Sequence, residues 1–103
     1  MGVIFSFYVV PIKRTCSPSV SDIIAKVVER IKNRAVDFVV TPASTVFEVE
    51  SLREGLDIIE EAIGVAKESG AVRIITEIKI DMRFDKELKL REMPEKIYRK
   101  LGM

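Results

Sequence analysis

At 103 residues the chain suits one domain with a single buried core, and we expect that domain to span residues 1–103. Its 17 basic and 16 acidic residues give a net charge of +1, which lacks the positive field that attracts nucleic acid or anionic lipid. One cysteine and no histidine exclude an internal disulfide, a Cys-x-x-Cys pair and histidine-based catalysis, and no cofactor is predicted. No apolar run reaches the roughly 18 residues that a membrane helix needs, and no basic leader precedes the first strand pattern, so we expect a cytoplasmic protein.

The first part of the chain reads as strand, helix and strand. Residues 3–10 are almost all aromatic or β-branched, which predicts a central strand that ends at Pro11. Ser19 is a candidate N-cap for a helix that extends to about Arg34, because apolar residues recur there at three-and-four spacing. Residues 35–41 then predict a second strand.

A hairpin is predicted within Val39–Glu50. Two extended runs flank Pro42-Ala43-Ser44, where the proline presets the turn and cannot donate into a ladder. Thr45 follows the turn directly, and it either closes the turn or hydrogen-bonds a ligand. Glu48 lies in the middle of the third strand among apolar neighbours, where a carboxylate needs a partner or water.

The second helix has clear predicted ends. Ser51 and Glu54 form a capping box at its start, and Gly70 is the expected residue just beyond its end. Apolar residues at helical spacing predict the face that packs on the core: Leu52, Leu56, Ile59, Ala62, Ile63 and Ala66.

Residues 72–81 alternate strictly and predict the fourth strand. Residues 82–92 are highly charged and weakly patterned. Pro94 then predicts a short helix from about Glu95 to Leu101, with Ile97 and Leu101 packed back on the domain.

Two strand-helix-strand units joined by a hairpin predict an α+β fold, the ferredoxin-like βαββαβ sandwich. Its four-stranded antiparallel sheet has the predicted order 4-1-3-2, with two helices on one face and a short C-terminal helix. The open face then carries an apolar patch that a monomer rarely exposes: Ile4, Tyr8, Val10, Val46 and Ile75. We therefore expect self-association.

Polar side chains share this open face: Ser6, Tyr8, Glu48, Glu77 and Lys79. Hydroxyls, a phenol and carboxylates within an apolar wall are typical of a small-molecule pocket. In the alternative interpretation, Glu48 and Glu77 only form ion pairs, with Lys79, with Arg73 or with a partner subunit. Burial distinguishes the two interpretations, because an unpaired buried carboxylate costs several kcal/mol.

Two other kinds of site are weaker. Lys13-Arg14, ahead of the first helix, either holds a phosphate or belongs to a solvated loop. RNA recognition is disfavoured, because Glu48 and Glu50 would repel phosphate and the first-strand phenylalanines face inward.

The chain resembles the YkoF-like thiamine-binding protein family, in order and with matching gaps, over nearly its whole length from Ile4 to Ile97. The most specific parts are a Pro-x-x-Thr-x-x-Glu hairpin at Pro42–Glu48 and a Lys-Ile-Asp-x-Arg end to the fourth strand at Lys79–Arg83. Further matching segments are Val9–Ile12, Ser17–Val20, Val72–Ile78 and Asp85-Lys86.

The resemblance implies a ferredoxin-like subunit in a dimer of dimers that binds thiamine or its hydroxymethylpyrimidine moiety without known catalysis. It assigns Glu48 to an aminopyrimidine and Thr45 to the same site, and it suggests that Tyr8 or a phenylalanine stacks on the ligand ring or faces the cationic thiazolium. The sequence departs from the family pattern near this pocket, at Tyr8, Lys13-Arg14, Ser44 and Glu77.

We therefore expect a homo-oligomeric, non-enzymatic binder of thiamine or a pyrimidine-like small molecule, with no nucleic-acid or membrane partner. The alternative is a structural or regulatory assembly module. In that case the open face is only a subunit interface and its carboxylates are ion-paired.

Overall fold

The computed structural model describes residues 2–14 and 20–103. Its elements are β1 Val3–Ile12, α1 Val20–Ile31, β2 Asp37–Val40, β3 Thr45–Val49, α2 Leu52–Glu68, β4 Arg73–Met82 and α3 Glu92–Lys100. The predicted Ser19 cap, and the loop residues just before it, lie outside the described residues. Within the described ranges, no helix is long and apolar enough to cross a membrane.

The four strands form one antiparallel sheet in the order β2-β3-β1-β4. Helices α1 and α2 pack together on one face of this sheet, here called the inner face, and the opposite face is called the outer face. This is the ferredoxin-like α+β fold, and the predicted strand order 4-1-3-2 is confirmed.

Strand β1 continues through Pro11, so the prediction that it ends there was wrong. Its pairing with β3 stops at Phe7 opposite Thr45, whereas its pairing with β4 continues to Ile12 opposite Arg73. Beyond Phe7, therefore, β1 has a neighbour on one side only. A proline is tolerated on such a free edge because no ladder bond requires its missing N–H.

Three phenylalanines form the centre of the inner face. Phe5 and Phe47 stack with their ring centroids 5.0 Å apart, and Phe7 meets Phe47 edge-on at 5.7 Å. Helix α2 crosses directly over this cluster at Gly55, where a methyl group would lie 2.0 Å from Cε1 of Phe5. The absence of a side chain at Gly55 thus sets how closely α2 approaches the sheet.

The buried face of α2 differs from the predicted one. Leu52 and Leu56 were expected in the core, yet they are 38% and 44% exposed. Because Gly55 faces Phe5, both leucines are turned to the side of the helix. The buried residues are Gly55, Ile58, Ile59, Ala62, Val65 and Ala66.

Both predicted ends of α2 are confirmed. The N–H of Glu54 donates to Oγ of Ser51 at 3.2 Å, which satisfies one of the free amides of the first turn. Gly70 follows the C-cap residue Ser69 with a φ of +99°, a conformation that glycine adopts without strain.

The C-terminal helix α3 begins at Glu92 rather than near Glu95. Pro94 is its third residue, where a backbone N–H would have no partner within the helix. The expected packing of Ile97 and Leu101 on the domain was wrong, because these side chains are 48% and 66% exposed and no residue of α3 is buried.

Candidate functional site

The strand register brings four of the six predicted site residues together on the outer face. Ser6 of β1 lies opposite Lys79 of β4, and Tyr8 lies opposite Glu77 two residues further along. All four line an open depression of about 500 Å³, which the hairpin residue Ser44 borders on its other side. Glu77 and Lys79 are exposed to solvent there.

A pair of hydroxyl groups crosses this depression. The Oγ atoms of Ser6 and Ser44 are 3.0 Å apart, so the hairpin is tied to β1 at the site itself. Each hydroxyl still has hydrogen-bonding capacity for a third group, because one hydroxyl can donate once and accept twice.

Thr41 fixes the position of Ser44. Its hydroxyl accepts from the N–H groups of Ala43 at 3.2 Å and Ser44 at 3.0 Å, and it donates to the carbonyl of Ser44 at 2.9 Å. This role of Thr41 was not predicted, and Thr45 was the residue for which closure of the turn was one of two predicted roles. The signal was present, because threonine at the start of a turn commonly bonds backbone groups two and three residues on.

Thr45 lies on the inner face, away from the depression. It pairs with Phe7 and is 6% exposed. It lines a separate, mostly apolar cavity of about 250 Å³ between the hairpin and Ile24 of α1. Tyr8 also lines this cavity, so the structure places Thr45 near Tyr8 but brings it together with none of the other predicted site residues.

Glu48 is on the outer face but does not line the depression. It pairs with Ile4 and is 3% exposed, beneath the segment that leads into α3. The N–H of Leu90 donates to its Oε1 at 2.9 Å, and Nζ of Lys89 lies 3.4 Å from its Oε2. The attraction of Glu48 raises the pKa of the Lys89 amine. The partners that this carboxylate requires are therefore supplied by its own chain.

A second acid anchors the same segment. The Arg91 guanidinium donates to both carboxylate oxygens of Asp37, at 2.8 and 3.0 Å, and to the carbonyl of Phe38 at 3.1 Å. Because Asp37 pairs with Glu48 across the sheet, the two contacts hold residues 89–91 over one end of the outer face. That end, which was expected to be uncovered, is thus covered by the chain itself.

The Asp37–Arg91 contact predicts a pH dependence of stability. The Arg91 hydrogen bonds hold the pKa of Asp37 below its ordinary value in the folded protein. Its contribution is therefore complete above the unfolded pKa, roughly 4, and is lost as the pH falls through the lower folded value. We expect the urea midpoint of Asp37→Asn to fall less steeply between about pH 5 and pH 3 than that of the wild type. Equal slopes would contradict this assignment.

Of the ion pairs predicted as the alternative for Glu77, only the two within the chain can be compared with the structure, and a pair with a partner subunit stays a prediction. Glu77 forms no ion pair with Lys79 or Arg73 in the described part of the chain, although all three side chains share the outer face. An acceptor, a donor, two hydroxyls and the ring of Tyr8 therefore surround one open cavity. Such a set can hold a small planar molecule with both donor and acceptor groups.

This geometry defines the class of protein as a ferredoxin-like domain with a polar depression on the outer face of its sheet. Residues 5–98 match the model of the family described as thiamine-binding protein. The chain belongs to that family, as the resemblance indicated.

Individual relatives agree with this assignment. A UPF0045 protein of Methanothermobacter thermautotrophicus is 32% identical over 84% of this chain and 88% of its own. The structure of a domain of unknown function, DUF77, from Bacillus cereus is 31% identical with a TM-score of 0.75, over 88% of this chain and 85% of that one. A Thermotoga maritima structure, provisionally assigned to thiamine biosynthesis or salvage, shares the fold with a TM-score of 0.75 at 22% identity, over 94% of this chain and 99% of that one.

Proposed function

We propose that the protein binds thiamine or its hydroxymethylpyrimidine moiety in the outer-face depression, without catalysis. Membership in the thiamine-binding protein family supports this ligand class. The observation that carries the proposal is the placement of Tyr8, Glu77 and the Ser6–Ser44 hydroxyl pair around one cavity. A cavity wall with a few convergent polar groups is the usual makeup of a small-molecule site.

Each of these groups suits a part of the ligand. The carboxylate of Glu77 accepts hydrogen bonds from the exocyclic amine of an aminopyrimidine, and its charge complements a thiazolium cation. One of the Ser6 and Ser44 hydroxyls donates to the other, and the proton of the second hydroxyl can be donated to a ring nitrogen. Tyr8 offers an aromatic face to the ring, and Lys79 can donate to a ligand hydroxyl.

Two residues that the resemblance assigns to the ligand are outside this set. Both carboxylate oxygens of Glu48 are within reach of donors from residues 89 and 90, and Thr45 faces the helices. Their contact with a ligand stays a prediction, and the Glu48 variant below tests it directly.

We further propose that the protein works in the cytoplasm as a homo-oligomer, a dimer of dimers. Support comes from apolar side chains left exposed on the outer face, among them Val10 at 41% and Ile75 at 44%. A contiguous patch of this kind usually marks an interface.

Replacing Glu77 by glutamine is expected to weaken binding of thiamine and of hydroxymethylpyrimidine by about tenfold or more, since a charged acceptor contributes about 1.5–3 kcal/mol to such a bond. Isothermal titration calorimetry with both ligands measures the effect. Glu60→Gln, the same chemical change on an exposed part of α2, is the matched control and is expected to bind like the wild type.

Glu48→Gln separates the two carboxylates of the outer face. Because Glu48 is held by the chain itself, we expect this variant to keep wild-type affinity. Weakened binding in Glu48→Gln with unchanged binding in Glu77→Gln would move the site to the other end of the outer face.

A structural or regulatory assembly module is the second candidate, and the exposed outer-face side chains favour it. Absence of heat with both ligands, together with a stable oligomer, would replace the binding proposal by this one. In that case the outer face serves only as a contact surface.

A further inference from the structure

Helix α3 has an apolar side that its own chain leaves uncovered. Four large side chains lie along that side: Met93, Ile97, Tyr98 and Leu101, exposed by 70%, 48%, 52% and 66%. The helix has nine residues and buries none of them. A helix this short is marginal in water, because most helical stability in proteins comes from packing an apolar face.

A matching uncovered surface lies on the outer face of the sheet. It consists of four apolar residues of β1 and β4, here called the outer strip: Tyr8, Val10, Ile12 and Ile75, exposed by 37–44%. The register places Val10 directly opposite Ile75 and thus makes the strip continuous. Residues 89–91 cover the other end of the same face and leave this end open.

We propose that α3 of one copy of the chain lies on the outer strip of a second copy, and that the second copy does the same in return. A twofold pair satisfies both surfaces at once, because each copy supplies one helix and one strip. Eight half-exposed large side chains per copy amount to an apolar area on the order of 700 Å², close to what a standard interface buries on each partner.

The two residues just before α3 are bound to the sheet of their own chain. Leu90 is hydrogen-bonded to Glu48, and Arg91, the residue just before the helix, is bound to Asp37. Helix α3 is therefore held on its own sheet before a second copy binds. A helix whose position is already fixed loses less conformational entropy on association than a helix on a flexible segment.

The pairing also bears on the ligand site, a step that rests on the proposed function. Tyr8 belongs both to the outer strip and to the lining of the depression. A helix from the second copy on the strip therefore forms a wall of the depression beside Tyr8. The small-molecule site is completed by the partner subunit.

Sedimentation equilibrium of an α3 variant tests the pairing. Ile97→Gln with Leu101→Gln keeps helix propensity and net charge, and we expect its dimer dissociation constant to rise about a hundredfold or more, since twofold symmetry makes each change count twice. The control, Glu95→Gln with Arg99→Gln on the opposite side of α3, also keeps net charge and is expected to associate like the wild type. A monomeric wild type, or equal dissociation constants for both variants, overturns the proposal.

Disulfide trapping gives a second test that does not depend on weakening α3. Ile97→Cys is combined with Ile75→Cys in a Cys16→Ser background, and oxidation is expected to produce a covalent dimer on a non-reducing gel, because a disulfide requires the two Cα atoms within about 7 Å. Arg99→Cys with Ile75→Cys is the control and is expected to remain uncoupled. A disulfide within one chain would overturn the proposal, because α3 would then fold onto its own strip.

Thiamine titration of the same α3 variant separates this inference from the proposed function. Loss of both the dimer and thiamine binding supports a site shared between subunits. Loss of the dimer with unchanged binding overturns the shared site. If the wild type dimerises through α3 but binds neither thiamine nor hydroxymethylpyrimidine, the proposed function fails and the helix exchange stands.

Discussion

Replacing Gly55 by alanine is expected to lower the free energy of unfolding by about 3 kcal/mol, although alanine is the better helix former. The added methyl group would lie 2.0–2.7 Å from three ring carbons of Phe5. Phe5 is fully buried and stacked on Phe47, so its ring has little room to withdraw. Chemical denaturation monitored by circular dichroism measures the loss as a lower midpoint.

Gly64→Ala is the matched control in the same helix. Apart from the backbone of its own helix and its chain neighbours, no described atom lies within 4 Å of a methyl group at this position, so we expect a gain of about 0.5–1 kcal/mol from the smaller conformational entropy of the unfolded chain. Two equal midpoint shifts would show that α2 does not approach the sheet as closely at Gly55 as described.

Glu48→Ala is expected to cost about 2 kcal/mol and to lower the melting temperature by roughly 10 °C. The N–H of Leu90 loses its acceptor, and the segment beneath which Glu48 is buried loses one of its two anchors. Thermal unfolding measures the stability, and amide exchange at Leu90 is expected to become faster than in the wild type.

Glu48→Gln again serves as the comparison. Its amide oxygen still accepts from Leu90, whereas the attraction to the half-exposed Lys89 is lost, so we expect a cost below about 1 kcal/mol. A loss in Glu48→Gln as large as in Glu48→Ala would assign the stabilisation to the ion pair rather than to the backbone hydrogen bond.

The hairpin and the ends of α2 could be predicted because local signals determine them, and the strand order follows from joining two strand-helix-strand units by a hairpin. Ser51 and Gly70 are recognisable at any helix terminus, and Pro42 marks a turn by its own backbone restriction. The outer-face placement of Ser6, Tyr8, Glu77 and Lys79 follows from strand alternation alone.

The buried face of α2 could not be predicted, because the residue that points most directly at Phe5 is a glycine. A hydrophobic pattern depends on apolar side chains, so it predicted Leu52 and Leu56 on the buried face. Both residues instead lie to one side of that face. Close backbone approach leaves no apolar signal in a sequence.

The partner of Glu48 was missed for a different reason. The sequence indicates that a carboxylate within the sheet needs a donor, and it offers Lys79 and Arg73 on the same sheet as candidates. The main donor is a backbone N–H 42 residues away, and any residue except proline carries that group. The path of residues 83–91 across the sheet had to be known before this contact could be found.

The pairing of β1 with β4 has a consequence for how the chain acquires its structure. Residues 3–12 lie beside residues 73–82, so the contacts that complete the centre of the sheet join the most distant strands in the sequence. Long loops must close before these contacts form, which slows folding relative to a helical bundle of similar size. During synthesis on the ribosome, one side of the first strand therefore stays without its neighbour until Met82 has emerged.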